Sequence, residues 1–156
     1  MDGLHCHIRV MSDEDERDLV LLAREVLRQL AEGHGHPERY HDEEFLDLVE
    51  RADVYVARPA EQEGLVAGFV ALEDEADDLV VRCLCVAPAF EAQRVAHQLL
   101  DWAEGLAYER SRRRVVAEVL RDDEPTQHLY KGHAFVPTPA ADRPELIVME
   151  KRLVDR

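Results

Sequence analysis

The chain has 156 residues, enough for one domain with a substantial core, and it is 46% hydrophobic and 34% charged. No run approaches the ~20 consecutive apolar residues of a membrane helix, so no membrane partner is expected. A formal net charge of -15 and a pI near 4.8 leave no cationic surface for nucleic acid, which is excluded as a partner.

The acidic surface suits a cationic acceptor such as an amine, and solubility accounts for it equally. Arg110, Arg112, Arg113 and Arg114 are expected to cap the negative end of the preceding helix; a site for a terminal phosphate is the alternative. The first residues lack a basic region followed by an apolar core, so a cytoplasmic protein without a signal peptide is expected. Cys6, Cys83 and Cys85 are expected as reduced thiols, the last two on one strand face and packed in the core.

In chain order, residues 4–10 alternate as a first strand, with Leu4, Cys6, Ile8 and Val10 on one face. Ser12 is a helix N-cap followed by acidic residues, and Ser12–Asp15 resembles a capping box loosely, Asp being shorter than Glu. Leu19, Leu22, Ala23, Val26 and Leu30 form the apolar stripe of this helix, which Gly33 ends. His34 to Pro37 reads as a loop, and a second helix at about 41–52 turns Phe45, Leu46 and Val49 inward. His5, His7, His34, His36 and His41 lie in at least two elements, and no pair has the i, i+4 spacing of a helical zinc motif. Solvated histidines and no bound metal are expected.

Val54 to Arg58 and Gly64 to Glu73 predict two strands of a hairpin. Glu73 to Asp78 reads as an acidic, solvated loop. Leu79 to Val86 is a buried strand, apolar on both faces and ended by Pro88. A helix over roughly 91–110 follows, with Val95, Leu99, Trp102 and Leu106 on its apolar side. Arg114 to Leu120 alternates as another strand, and Pro125 opens a helix capped by Asp122 or Asp123. Phe135 to Thr138 and Pro144 to Leu153 supply the last strands. The order predicts one mixed α+β domain over 1–156, with a central sheet of about six to seven strands flanked by helices.

Two stretches carry chemistry. In the first, Leu84-Cys85-Val86-Ala87-Pro88 ends a strand, and Gln93, Val95, Ala96, Leu99 and Leu100 open the next helix. Strand, turn and helix N-terminus is an arrangement in which outward-pointing backbone N–H groups hold phosphate. In the second, Asp123-Glu124-Pro125-Thr126-Gln127-His128-Leu129-Tyr130 leads through Ala134 to Phe135. Together, in this order and spacing, they resemble the GCN5-related N-acetyltransferases (the GNAT family) over nearly the whole chain. That family shows x-Pro-x-x and then Arg/Gln-x-x-Gly-x-Gly/Ala in the first motif, and Asn-x-x-Ala-x-x-Leu-Tyr-x-x-x-Gly-Phe in the second. Glu91, Ala92 and Arg94 depart from the first pattern; Asp123, Thr126 and Ala134 replace Asn, Ala and Gly of the second.

The resemblance implies the GNAT fold, with acetyl-CoA as cosubstrate and transfer of its acetyl group to a primary amine on a small molecule or a protein. The fourth and fifth strands would splay to admit pantetheine, bonded by the backbone of Leu84, Cys85 and Val86. Gln93, Arg94, Val95, Ala96 and His97 would hold the pyrophosphate, and Asp123 would complete the cofactor contacts. Tyr130 would be the general acid beside the thioester sulfur; an aromatic packed under the sheet is the equal alternative. The family's usual base position falls at Arg82 and Cys83, so Glu73 is the substitute base. Glu91 would set an anion near the pyrophosphate, a repulsion of roughly 3 kcal/mol at ~6 Å and an effective dielectric near 20, reduced by water and salt. The competing expectation is a non-catalytic domain of the same fold, without tight cofactor binding. Family members are often dimers, so a homodimer is kept as an option.

Overall fold

The computed structural model describes residues 4–33, 42–139 and 143–153, without the side chains of 27–33, 42, 92, 93 and 139. The expected loop at His34–Pro37, the histidines 34, 36 and 41, and the inward side chain of Leu30 fall outside the described residues.

The strands are β1 Cys6–Val10, β2 Asp53–Pro59, β3 Gly68–Glu75, β4 Asp78–Val86, β5 Arg114–Leu120, β6 Val136–Pro139 and β7 Leu146–Arg152. The helices are α1 Glu16–Gly33, α2 Asp42–Arg51, α3 Val95–Glu109 and α4 Glu124–Gly132, with 3-10 turns at Asp13–Asp15 and Pro88–Gln93. The strands form one mixed sheet in the order β1-β2-β3-β4-β5-β7-β6. β4 and β5 are parallel, and β1–β2, β2–β3, β5–β7 and β6–β7 are antiparallel. This is the mixed α+β sheet of six to seven strands with flanking helices expected from the sequence. No described helix is long and apolar enough to cross a membrane, which says nothing of a strand-built barrel.

The chain packs as two compact units. The first, Met1–Leu72 with Cys83–Leu99, has a core of Leu19, Leu22, Phe45, Leu48, Val49, Val56, Phe69 and Cys85, with Cys83 packed against it. Asp15 anchors its entry. The carboxylate accepts from the Ser12 backbone N–H at 2.9 Å and from the Ser12 hydroxyl at 3.1 Å, so the short Asp makes the return half of the box, while Asp15 N bonds to Ser12 O. It also accepts from Arg58 Nη2 at 2.6 Å, both residues being buried. Burial alone would raise the Asp15 pKa; the Ser12 N–H, Arg58 and the Ser12 hydroxyl outweigh it and hold the pKa below the ordinary value. Gln98 bridges to the edge strand, its Oε1 accepting from Cys6 N at 3.0 Å and its Nε2 donating to Leu4 O at 2.5 Å. That satisfies edge groups that would otherwise be a template for another strand.

The second unit, Glu73–Arg82 with Leu100–Arg156, buries Leu79, Val80 and Val81 of β4, Val115, Val116, Ala117 and Val119 of β5, and Met149 of β7. The β4–β5 ladder pairs Asp78–Val81 with Arg114–Ala117; β4 then runs on to Val86 and β5 to Leu120.

Several expectations are corrected. Glu73–Asp78 is not a loop: Glu73 to Glu75 end β3, Asp78 begins β4, and only Ala76 and Asp77 form the turn. The arginines after α3, expected as a helix cap, reach this acidic hairpin end. Arg110 Nη1 and Arg112 Nε lie 3.1 and 3.0 Å from Asp74, and Arg114 donates to Asp78 at 2.9 and 2.7 Å and also to Glu150. Arg110, Arg112 and Arg114 are thus engaged by carboxylates, while Arg113 is exposed, its Nε 3.8 Å from Asp77. β3 begins at Gly68 rather than Gly64, because 3-10-type bonds from Gln62 N to Pro59 O and Leu65 N to Gln62 O turn the chain first. α3 begins at Val95 rather than near 91, because Pro88 starts a separate 3-10 turn. Trp102 points outward while Leu100, Ala103 and Ala107 face inward; Leu46 is outward where Leu48 is inward; Val10 is exposed at the end of β1.

Candidate active site

The first motif is a backbone device. Its strand residues Leu84, Cys85 and Val86 end β4. Gly68 lies against them, and a Cβ there would stand 2.6 Å from Cys85 O and 3.3 Å from the Val86 Cα, so the neighbouring strand can approach this closely only as glycine. Burial pushes the Cys83 thiol up to about 12; burial first, then the Cys83 thiol, raises Cys85 further. Thiols held protonated are neither nucleophiles nor ready metal ligands.

After Pro88–Gln93 the chain turns at Arg94, whose φ of 60° and ψ of 26° are left-handed. This is the position at which the family pattern has glycine, and the backbone keeps the glycine geometry although an arginine occupies it. The bond from Gln98 N to Arg94 O, 3.2 Å, closes the first turn of α3. Leading amides of a helix point out of its end, and with the helix dipole they favour an anion. Val95 is buried and anchors the turn, Ala96 and His97 are half-buried, and Glu91 and Arg94 are exposed. The Gln93 side chain lies outside the described residues. An exposed Glu91 has its charge screened by water, and Arg94 sets a cation at the same helix end. The residues present therefore fit a pyrophosphate, with the backbone as its main support.

The second motif is held by side chains. Asp123 is buried and caps α4, accepting from Thr126 N at 3.2 Å, the N-cap role expected of it. At the other end of α4, Phe135 N donates to Tyr130 O and Ala134 N to Lys131 O, both at 3.0 Å. With φ of 68° at Ala134 this is a Schellman closure, the usual glycine position being filled by alanine. The Tyr130 and Phe135 rings meet edge to face at 5.0 Å, the apolar contact that accompanies such closures. Tyr130 is 3% exposed.

Glu73, the expected base, accepts from Arg82 Nε at 3.0 Å, while Arg82 Nη2 reaches Glu75 at 2.6 Å. The carboxylate is thus engaged by Arg82. The first unit holds Leu84–Val86 and 93–97 together; Glu73, Asp123 and Tyr130 belong to the second. Gly68 was not singled out from the sequence, since a close backbone approach leaves no local pattern. The Schellman closure had a readable signal in the spacing of Tyr130, Ala134 and Phe135.

Similar folds recur among solved acetyltransferases. The PaiA N-acetyltransferase of Thermoplasma acidophilum, solved with coenzyme A, matches with a TM-score of 0.79 at 20% identity, over 96% of this chain and 100% of that one. A GNAT-family acetyltransferase of Staphylococcus aureus matches at 0.78 and 11% identity, over 96% and 100%. The ribosomal-protein-S18-alanine N-acetyltransferase of Escherichia coli matches at 0.75 and 17%, over 97% and 96%. At these identities the likeness is one of fold. No curated protein matches the sequence. The model of the acetyltransferase (GNAT) family matches residues 20–135, and the chain belongs to that family.

Proposed function

We propose that this protein transfers an acetyl group from acetyl-CoA to a primary amine, on a small molecule or a protein, working as one GNAT-like domain over 1–156. The family match over residues 20–135 carries the reading, supported by a coenzyme A complex of a protein of the same fold and by the left-handed turn retained at Arg94. A cytoplasmic location and an acidic surface suited to cationic acceptors belong to the same reading.

Bound acetyl-CoA supplies the thioester, whose C–S bond breaks as the amine nitrogen bonds to the carbonyl carbon. The α3 N-terminus at Arg94, Val95, Ala96 and His97 holds the pyrophosphate through backbone N–H groups, with Arg94 adding a cation. Backbone groups of Leu84, Cys85 and Val86, beyond the β4–β5 ladder, orient the pantetheine. Positioning the amine against the thioester is a substantial part of what such a site contributes. The Tyr130 hydroxyl gives its proton to the departing thiolate, and Glu73, freed from Arg82 or through water, takes the proton lost by the ammonium. Asp123 fixes the start of the helix that carries Tyr130.

The test is a thermal shift titration with acetyl-CoA, followed by thiol release in the presence of amines. At 100 times its Kd the cofactor adds ~2.7 kcal/mol to the native state. No shift at millimolar acetyl-CoA would leave the non-catalytic domain as the correct description. Glu91→Arg should tighten acetyl-CoA binding, and Tyr130→Phe should lower kcat with little change in KM.

A further inference from the structure

We propose that Asp101, Glu104 and His133 form a site for a divalent transition-metal ion, zinc being the ion their donors favour. Asp101 and Glu104 are three residues apart on α3 and so share a face, and His133 is the C-cap of α4. His133 Nε2 lies 3.0 Å from Asp101 Oδ1 and 3.2 Å from Glu104 Oε2. All three donor atoms lie within 4.8 Å of one another. Donors about 2.0–2.1 Å from a tetrahedral zinc stand about 3.3 Å apart. Two edges of such a triangle are thus present, and Asp101, whose side chain is 71% exposed, is free to rotate and close the third.

The electrostatics point the same way. One ring nitrogen directs one N–H along one line, so a proton on Nε2 serves one of the two facing carboxylates well. A divalent ion serves both and uses the lone pair of the neutral ring. The other Glu104 oxygen, Oε1, lies 2.5 Å from Lys151 Nζ, a contact that orients Oε2 toward His133 as outer-shell partners do for metal-binding carboxylates. Lys151 also lowers the affinity by adding a positive charge nearby. A ring nitrogen with two carboxylates suits zinc better than magnesium or calcium, which prefer all-oxygen sets. Water would fill the remaining positions, and the ion would tie α3 to the end of α4, the helix of Tyr130. The proposal does not depend on the acetyl-transfer reading.

Chelator-stripped, untagged protein is titrated with zinc chloride by calorimetry, with cobalt chloride as an absorption probe. One ion per chain is expected, with a raised melting temperature and a visible cobalt band. Asp101→Asn and His133→Gln should each weaken binding at least ~10-fold, with native circular dichroism. Absence of binding and of the cobalt band would overturn the site. So would equal affinity in the variants, which would assign the ion to other histidines such as His5 and His7. Should His133→Gln fail to fold, the exposed Asp101→Asn decides alone.

Discussion

Arg94 and Ala134 both stand where the family pattern has glycine, and both keep a left-handed backbone, with φ of 60° and 68°, yet their surroundings differ. At Ala134 the conformation is locked from both sides, by the 3.0 Å bonds from Phe135 N to Tyr130 O and from Ala134 N to Lys131 O and by the Tyr130–Phe135 ring contact. At Arg94 the turn lies between a 3-10 turn and a helix, with Val95 buried beside it and exposed charges at Glu91 and Arg94. A non-glycine residue in this region costs roughly 1–2 kcal/mol, and in each place the surrounding chain enforces it. A motif glycine therefore marks a backbone requirement, and the requirement outlasts the glycine.

Five changes would break or sharpen this contrast. The largest effect is expected for Tyr130→Ala, which removes the ring that closes α4: a loss of about 3–5 kcal/mol in urea unfolding. A loss below ~1 kcal/mol would mean that the ring contact does not hold Ala134 in place. Asp15→Ala gives the scale of an interaction remote from both turns, about 3 kcal/mol, because it removes the carboxylate at 2.6 Å from the buried Arg58 and leaves only the exposed Asp18 at 3.7 Å. Its pH dependence has a definite sign. The folded-state pKa of Asp15 is lowered, so its contribution is whole above the unfolded value near ~3.9. It is lost as the pH falls from there through the lower folded-state value. Acid titration of the Asp15→Ala and parent proteins should therefore converge at low pH.

Gly68→Ala separates a glycine needed for space from one needed for φ. The added Cβ at 2.6 Å from Cys85 O should cost about 1–3 kcal/mol, and acetyl-CoA affinity should fall with it. Smallest and opposite in sign are Arg94→Gly and Ala134→Gly, each expected to stabilise by up to about 1 kcal/mol, less the entropy that glycine adds to the unfolded chain. Only Arg94→Gly should alter acetyl-CoA binding. Equal cofactor effects from the two would sink the assignment of the phosphate loop.

Much of the fold was legible because its signals are local. The alternation of Arg114 to Leu120 marks β5 end to end, and Pro125 behind Asp123 marks the start of α4. The candidate site was legible where its role depends on a spacing, as in Leu84 to Pro88 or Tyr130 to Phe135. What no spacing shows is which carboxylates are engaged by a cation brought up by the fold. Glu73 looks like an available base until Arg82 is found on it at 3.0 Å. The basic run after α3 looks like a helix cap until Asp74 and Asp78 are found opposite it.

The amino-acid order alone settled the elements, their succession and the family pattern, because caps, proline and apolar periodicity act within a few residues. Folding in three dimensions decided the rest. Gln98 reaches Leu4 and Cys6, and His133 reaches Asp101 and Glu104, contacts that no periodicity encodes. The left-handed turns at Arg94 and Ala134 run against local preference. They persist because burial of Val95 and of the Tyr130–Phe135 pair, together with the hydrogen bonds around them, outweighs a backbone cost of one or two kcal/mol.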